Sequence, residues 1–326
     1  MTAALLEVAG LRTQVRTPAG IVQAVDDVSF VLSPGETLAI VGESHCGKSA
    51  LLDALAGMLA PPARVVGGRI AFAGRDLLAI SRRQMASLRG DRFALLAAPA
   101  STFHPALRLG TQLREALDAH RSLTLAKARK RVHRALAYAG VARRRRALQA
   151  FPHELDPGER LRSAVVMAFL HRPDLVLIDD ITRDADMTVA ADIVALVRRT
   201  ARATDAAIIW ATRDAEIAAA VADRTAVMHA GRIVEEGRTE HVLRRPAHPY
   251  TRALVDSLPG RFVRGARLRP MVGVTSWPAS GCPLRPRCPH AIDACIAAPE
   301  VRAIGAHDGA RAVRCHNPLP LHALEP

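Results

Sequence analysis

The chain has 326 residues, room for one large domain or two ordinary ones. Hydrophobic residues make up 49% of it, which excludes a globally disordered chain. The formal net charge of +14 suits nucleic acid, an anionic surface or an acidic substrate, yet 42 of the 45 basic residues are arginines, a skew that reads as composition more than as a binding surface.

In chain order, Leu5–Val8, Val22–Phe30 and Thr37–Val41 read as strands, with turn signals at Pro18-Ala19-Gly20 and Pro34-Gly35. Ser49–Leu59 is apolar-periodic and reads as a helix. Residues 106 to 150 are helical in pattern and hold most of the basic runs, including Arg143–Arg146, read as a solvated face. A helix over Glu159–Leu170 precedes a strand over Asp174–Asp179, and Ala206–Ala211 reads as a further strand before another helix. Strands alternating with helices predict an α/β fold with a largely parallel sheet. From Arg261 onward the composition shifts to Pro, Arg, Cys and His, which places a domain boundary near residue 260 and divides the chain into 1–260 and 261–326. No apolar run reaches about 18 residues, and Met1–Arg12 has no signal-peptide pattern, so a cytosolic chain is expected. Aromatic residues are 3% of the chain, too few for a stacking platform on single-stranded nucleic acid.

Gly42-Glu43-Ser44-His45-Cys46-Gly47-Lys48-Ser49 matches G-x-x-x-x-G-K-[ST] at every fixed position and lies between a strand and a helix, where that phosphate-binding loop must lie. Its glycines let backbone N–H groups turn toward phosphates, and the helix N-terminus adds partial positive charge. Lys48 is expected to reach the β- and γ-phosphates of ATP, and Ser49 to hold Mg²⁺. Cys46 reads as a small neutral residue of the loop. Asp179 ends the apolar run Leu175-Val176-Leu177-Ile178, placing a carboxylate where it can organise Mg²⁺ and its waters.

Further phrases carry a family resemblance: Val41-Gly42-Glu43-Ser44, Phe151-Pro152-His153-Glu154-Leu155, Asp223-Arg224, Ala230-Gly231-Arg232-Ile233-Val234-Glu235 and His248-Pro249-Tyr250-Thr251-Arg252-Ala253-Leu254. With Gly281-Cys282-Pro283 and Pro286-Arg287-Cys288-Pro289, the chain resembles the ATP-binding subunits of ABC transporters, in the oligopeptide/dipeptide and nickel importer group. The resemblance implies a P-loop NTPase core of RecA-like type, a helical subdomain at about 91–165, and a small irregular cysteine-rich C-terminal domain. It also implies a heterodimer with a second ABC ATPase subunit, two transmembrane permease subunits, an extracytoplasmic solute-binding protein, and a peripheral place on the cytoplasmic membrane face. No nucleic acid is expected as a partner.

Several positions depart from the family pattern. The signature that a partner's γ-phosphate normally meets appears as Leu155-Asp156-Pro157-Gly158-Glu159. Asp156 puts a carboxylate where a serine hydroxyl is usual, and Pro157 removes a backbone donor, although both suit a helix start. Asp180 stands for the glutamate that polarises water, one methylene shorter. Arg213 stands for the switch histidine, Ala97 for a Mg²⁺-sensing glutamine and Val15 for the aromatic residue that stacks on adenine, while Asp186 matches the interface loop. ATP and Mg²⁺ binding are thus expected to persist while hydrolysis is impaired.

Cys282, Cys288, Cys295 and Cys315 have five, six and nineteen residues between them. In a reducing compartment such a cluster suggests metal before disulfide. The spacing lacks the short C-x₂₋₄-C pairs of structural zinc and suits a 4Fe-4S cluster better, as the resemblance also implies, with zinc the rival ion. The function expected is ATP-driven import of peptides or similar small solutes. The alternatives are a non-hydrolysing regulatory subunit of the same complex and a soluble DNA-associated ABC protein.

Overall fold

The computed structural model describes residues 3–97, 102–121, 123–258, 271, 280–305 and 311–321. The boundary expected near residue 260 falls outside them.

Two sheets carry the fold. The first contains β1 (Leu6–Thr17), β2 (Gly20–Leu32), β4 (Ala63–Phe72) and β5 (Arg75–Asp76), in the order β2-β1-β4-β5 and antiparallel throughout. The Pro18-Ala19 turn closes the β1–β2 hairpin, with Thr17 paired to Gly20. The N-terminal strands therefore leave the parallel core to Thr37–Val41 and its neighbours.

The second sheet has the order β11-β12-β10-β9-β3-β8-β7-β6. Its strands are β3 (Thr37–Val41), β6 (Phe93–Leu96), β7 (Leu175–Asp179), β8 (Ala207–Thr212), β9 (Arg224–His229), β10 (Arg232–Arg238), β11 (Val301–Ile304) and β12 (Arg311–Arg314). From β6 to β9 the pairing is parallel; from β9 through β11 it is antiparallel. The parallel strands are continuous apolar runs because both faces are covered. On one face Leu175, Leu177, Ala207 and Ile209 pack with α1 (Lys48–Leu55) and the antiparallel sheet. On the other, Val176, Ile178, Ile208 and Trp210 pack against the helical region, as period-2 alternation requires.

That helical region holds α3 (Leu109–Asp118), α4 (Leu125–Tyr138), α5 (Arg144–Gln149) and α6 (Pro157–Phe169). The short α2 (Arg82–Leu88) precedes it, begun by a capping box between Ser81 and Gln84. Leu109, Leu113 and Leu117 on α3 and Ala128, Val132 and Leu136 on α4 recur four apart and form the buried stripes. Arg143–Arg146 are exposed, as the basic run predicts. α7 (Met187–Thr204) and α8 (Ala215–Val221) complete this side of the sheet.

α1 stops four residues before the predicted Leu59, because Gly57 takes φ 60° and its N–H bonds back to the Ala54 carbonyl. Past β10, α9 (Thr239–Arg244) and α10 (Pro249–Asp256) fold back on the sheet. The cysteine-rich segment, predicted to be irregular, contributes the β11–β12 hairpin, and β12 pairs with β10 through Glu235 and Val313. Glu235 is fully buried; it accepts hydrogen bonds from the N–H groups of Ala247 (3.0 Å) and His248 (2.9 Å) and pairs with Arg311 at 3.3 Å. Among the described residues, no helix is long and apolar enough to cross a membrane.

Candidate functional site

The loop Gly42–Ser49 leaves the end of β3 and enters α1, so its conformation is set by one strand and one helix. His45 (φ 64°) and Gly47 (φ 110°) turn it through the left-handed region. A Cβ on Gly42 would lie 2.2 Å from the Met228 carbonyl, and one on Gly47 would lie 2.1 Å from the Ala24 carbonyl. Both positions therefore need glycine, the second doubly so because of its φ. Beneath the loop, Lys48 is buried and donates to the carbonyls of Gly42 (2.8 Å) and Glu43 (2.8 Å), with Cys46 Sγ at 3.5 Å. Burial pushes the Cys46 thiol up from its ordinary value, against the pull of the Lys48 charge, so it stands as a neutral thiol. Ser49 lies in the first turn of α1, where backbone N–H groups have no partner within the helix.

Loop and carboxylates face one cavity of about 640 Å³, lined by Ser44, His45, Gly47, Lys48, Ser49, Asp179, Asp180, Arg183 and Arg213, among others. Asp179 ends β7, whose register sets it beside Ala211 of β8. Its charge, after burial itself, raises the carboxyl of Asp53 on α1. Asp180 takes a left-handed φ of 46°, and its N–H donates to the Ala211 carbonyl at 2.9 Å. Oδ2 of Asp180 then receives Nε of Arg213 at 3.1 Å and Nε of Arg183 at 3.2 Å. A terminal nitrogen of Arg213 also donates to Ser44 Oγ at 3.4 Å, bridging the carboxylate to the loop. The resulting surface sets three carboxylates, Asp179, Asp180 and Asp184, among three cations, Lys48, Arg183 and Arg213, around a helix N-terminus. Such a surface fits a polyphosphate with a divalent cation.

The predicted residues Gly42–Ser49, Asp179, Asp180, Ala97 and Arg213 are thus close together; Val15 does not line this cavity, whereas Ala24 of β2 does. The signature Leu155–Glu159 lies elsewhere, at the start of α6. There Asp156 caps the helix by accepting from the Glu159 N–H at 2.7 Å, with Pro157 at the first helical position. Burial and the neighbouring Asp156 raise the Glu159 carboxyl. Asp186 caps α7, accepting from the Val189 N–H at 2.8 Å. Sequence reading assigned Arg183 no role and offered Tyr250 and Arg287 only within family phrases, not as contacts of the loop. The Glu43 N–H donates to Tyr250 Oη at 2.9 Å, and both terminal nitrogens of Arg287 reach the Glu43 carboxylate at 3.3 Å.

The four C-terminal cysteines lie within electrostatic reach of one another. Burial raises the thiols of Cys282 and Cys288 and pushes Cys315 up to about 11. Nearby backbone N–H groups, of Leu284 at Cys282, His290 at Cys288 and Asn317 at Cys315, pull these thiols back toward their ordinary value. Among the described residues, however, no group of three or more His, Cys, Asp or Glu side chains is arranged to hold a metal ion. The predicted metal centre is therefore not present as a formed site: Cys282 and Cys295 pack in one apolar cluster, and Cys315 in another with Ala247 and Val313.

The ABC transporter family profile matches residues 25–183, and the profile of the oligopeptide/dipeptide transporter C-terminal region matches residues 234–295. The chain is 38% identical over 296 residues to the dipeptide transport ATP-binding protein DppD of Bacillus subtilis, covering 89% of this chain and 88% of that one. It is also 38% identical over 304 residues to the oligopeptide transport ATP-binding protein OppD of Salmonella typhimurium, covering 92% and 90%. Among solved structures, the ATP-binding cassette MJ0796, dimeric and bound to ADP and Pi, superposes with a TM-score of 0.65 at 19% identity over 72% of this chain and 98% of that one. The structure of cbiO1 from Clostridium perfringens superposes with a TM-score of 0.62 at 24% identity, covering 73% and 90%. Fold, loop and both profiles agree: the chain belongs to the ABC transporter ATP-binding proteins that carry the oligopeptide/dipeptide transporter C-terminal region.

Proposed function

We propose that this chain is the ATP-binding subunit of an ABC importer for peptides or similar small solutes. One observation carries the reading: the Gly42–Ser49 loop, Lys48 and Asp179 face a single cavity, and the glycines at 42 and 47 let the loop close tightly against the Met228 and Ala24 carbonyls. Lys48 and the first-turn N–H groups of α1 would hold the phosphates, and Ser49 and Asp179 the Mg²⁺. The metal would offset phosphate charge when bound. The chain would sit at the cytoplasmic membrane face with a second ATPase subunit, two permease subunits and a solute-binding protein. The match to the oligopeptide/dipeptide C-terminal region favours this assembly over DNA association.

The chain's own site, on this reading, holds ATP and turns it over slowly. Asp180 supports this, because the carboxylate oxygen that would have to meet water is already occupied by both Arg213 and Arg183. A purely regulatory, non-hydrolysing subunit of the same complex is the second reading that this contact favours. Titrating the purified chain with a fluorescent ATP analogue and Mg²⁺ tests the binding step. Saturable binding lost in Lys48→Ala is expected; equal binding by that variant overturns the reading. Uptake of labelled peptide by cells lacking this chain tests the import step, and unchanged uptake would refute it.

A narrower part of the proposal concerns Cys282, Cys288, Cys295 and Cys315. The four thiolates would hold a 4Fe-4S cluster, with zinc as the rival ion. The mutual reach of the four thiols supports a shared ligand, and the absence of short C-x₂₋₄-C pairs in their spacing favours the cluster over zinc. Iron and sulfide in anaerobically purified protein are expected; stoichiometric zinc without iron overturns it.

A further inference from the structure

Glu43 is held at three points. Its carbonyl accepts from Lys48, its N–H donates to Tyr250 Oη, and its carboxylate takes both terminal nitrogens of Arg287. Two of these partners come from beyond β10: Tyr250 lies on α10, and Arg287 stands between Cys282 and Cys288. Both are well buried. Tyr250 is 1% exposed and packs against His229, with ring centroids 4.2 Å apart and planes tilted by 44°, while the Arg287 side chain is 9% exposed. Glu43, by contrast, is 41% exposed at the rim of the loop. A long side chain that stays buried over most of its length and emerges only at a carboxylate is aimed by its surroundings. Its two-nitrogen grip fixes orientation as well as distance.

We infer that Arg287 is a positioning residue for the phosphate-binding loop, through which the cysteine-bearing segment sets the affinity for MgATP. The inference rests on the proposed nucleotide reading and extends it. Arg287 does not line the cavity. It holds Glu43, whose main chain also carries the Lys48 contact, so releasing the carboxylate loosens the carbonyl that helps place the Lys48 ammonium. Loop geometry matters at this scale because the N–H groups must converge on the phosphates at once.

The test is a double-mutant cycle on the full chain, read as the dissociation constant of a fluorescent ATP analogue with Mg²⁺. Arg287→Gln and Glu43→Gln are each expected to weaken binding about fivefold, and the double variant no further than either alone. Arg287→Lys, which keeps the charge and loses the two-pronged grip, is expected to recover part of the loss. A thermal midpoint for each variant separates loosened binding from lost folding. Unchanged affinity in Arg287→Gln, or losses that multiply in the double variant, overturn the inference. Should Arg287→Gln fail to fold, Glu43→Gln decides alone, and wild-type affinity in it is a refutation. If the wild-type chain itself binds no better than Lys48→Ala, the nucleotide reading falls and takes this inference with it.

Discussion

Nε of Arg213 lies 3.1 Å from Oδ2 of Asp180, and that oxygen also takes Arg183. A carboxylate oxygen shared between two guanidinium groups has its lone pairs engaged and is held away from a water it would have to meet. Restoring a longer, freer acid and a titratable neighbour should release this constraint. Asp180→Glu combined with Arg213→His is expected to raise ATP hydrolysis at least about tenfold over wild type. Phosphate release from the chain assembled with its co-expressed partner subunits measures it; an unchanged rate would show that the arginine contacts do not limit turnover.

The carboxylate of Asp156 bonds the Glu159 N–H and so starts α6. Serine makes the same cap. Asp156→Ser should therefore leave stability within about 0.5 kcal/mol, whereas Asp156→Ala should cost about 1 kcal/mol. Removing the negative charge from a surface expected to meet a partner's phosphates should also strengthen ATP-dependent association. Urea denaturation and sedimentation with and without ATP give both readings.

Gly47→Ala meets two obstacles, the Ala24 carbonyl at 2.1 Å and a φ of 110°. Gly20 offers a control, since its φ is 125° but nothing stands within 4 Å of an added Cβ. Gly20→Ala should show the backbone strain alone, about 1–3 kcal/mol. Gly47→Ala should exceed it and abolish nucleotide binding. Equal urea midpoints for the two variants would contradict the close packing of the loop on β2.

His229 and His248 are each 1% exposed, and burial lowers both to about 3, with His248 and Arg287 adding to the effect at His229. Nδ1 of His248 accepts from the Tyr250 N–H at 3.1 Å, which requires the unprotonated nitrogen. In the unfolded chain both imidazoles titrate near 6.5. Below that pH the unfolded state takes up protons that the folded state refuses, so stability is full above it and falls as the pH drops toward 3. The slope should reach about 1.4 kcal/mol per pH unit for each histidine. Urea midpoints between pH 6.5 and 5 check this, above the range where ordinary carboxylates titrate; a flat response would mean that the rings accept protons in place.

The nucleotide loop was legible in sequence because its determinants are local: one strand, two glycines, a lysine and a helix start within 20 residues. Asp179 was legible as the polar end of an apolar run. The Arg287–Glu43 contact was not, since it joins residues 244 positions apart and no periodicity connects them. Arg183 was hidden differently, because a positive φ at Asp180 brings its side chain back to the site within three residues. β1 and β2 were read as strands, but alternation does not tell which sheet a strand joins. β4 was missed because Gly67-Gly68 interrupts its pattern; Gly68, at φ 92°, sits where a Cβ would strike the Gly10 carbonyl at 2.5 Å.

The β11–β12 hairpin has a consequence for how the chain tolerates trimming. β12 occupies the outer rim of β10, where unpaired N–H and C=O groups would otherwise offer a template for strands of other molecules. It also delivers Arg311, 3% exposed, to the buried Glu235 carboxylate. Cutting the chain before Val301 would thus bare a sticky ribbon and strand an anion in apolar surroundings at one stroke. The last strands act as a selvage, finishing the cloth that the nucleotide loop is woven into.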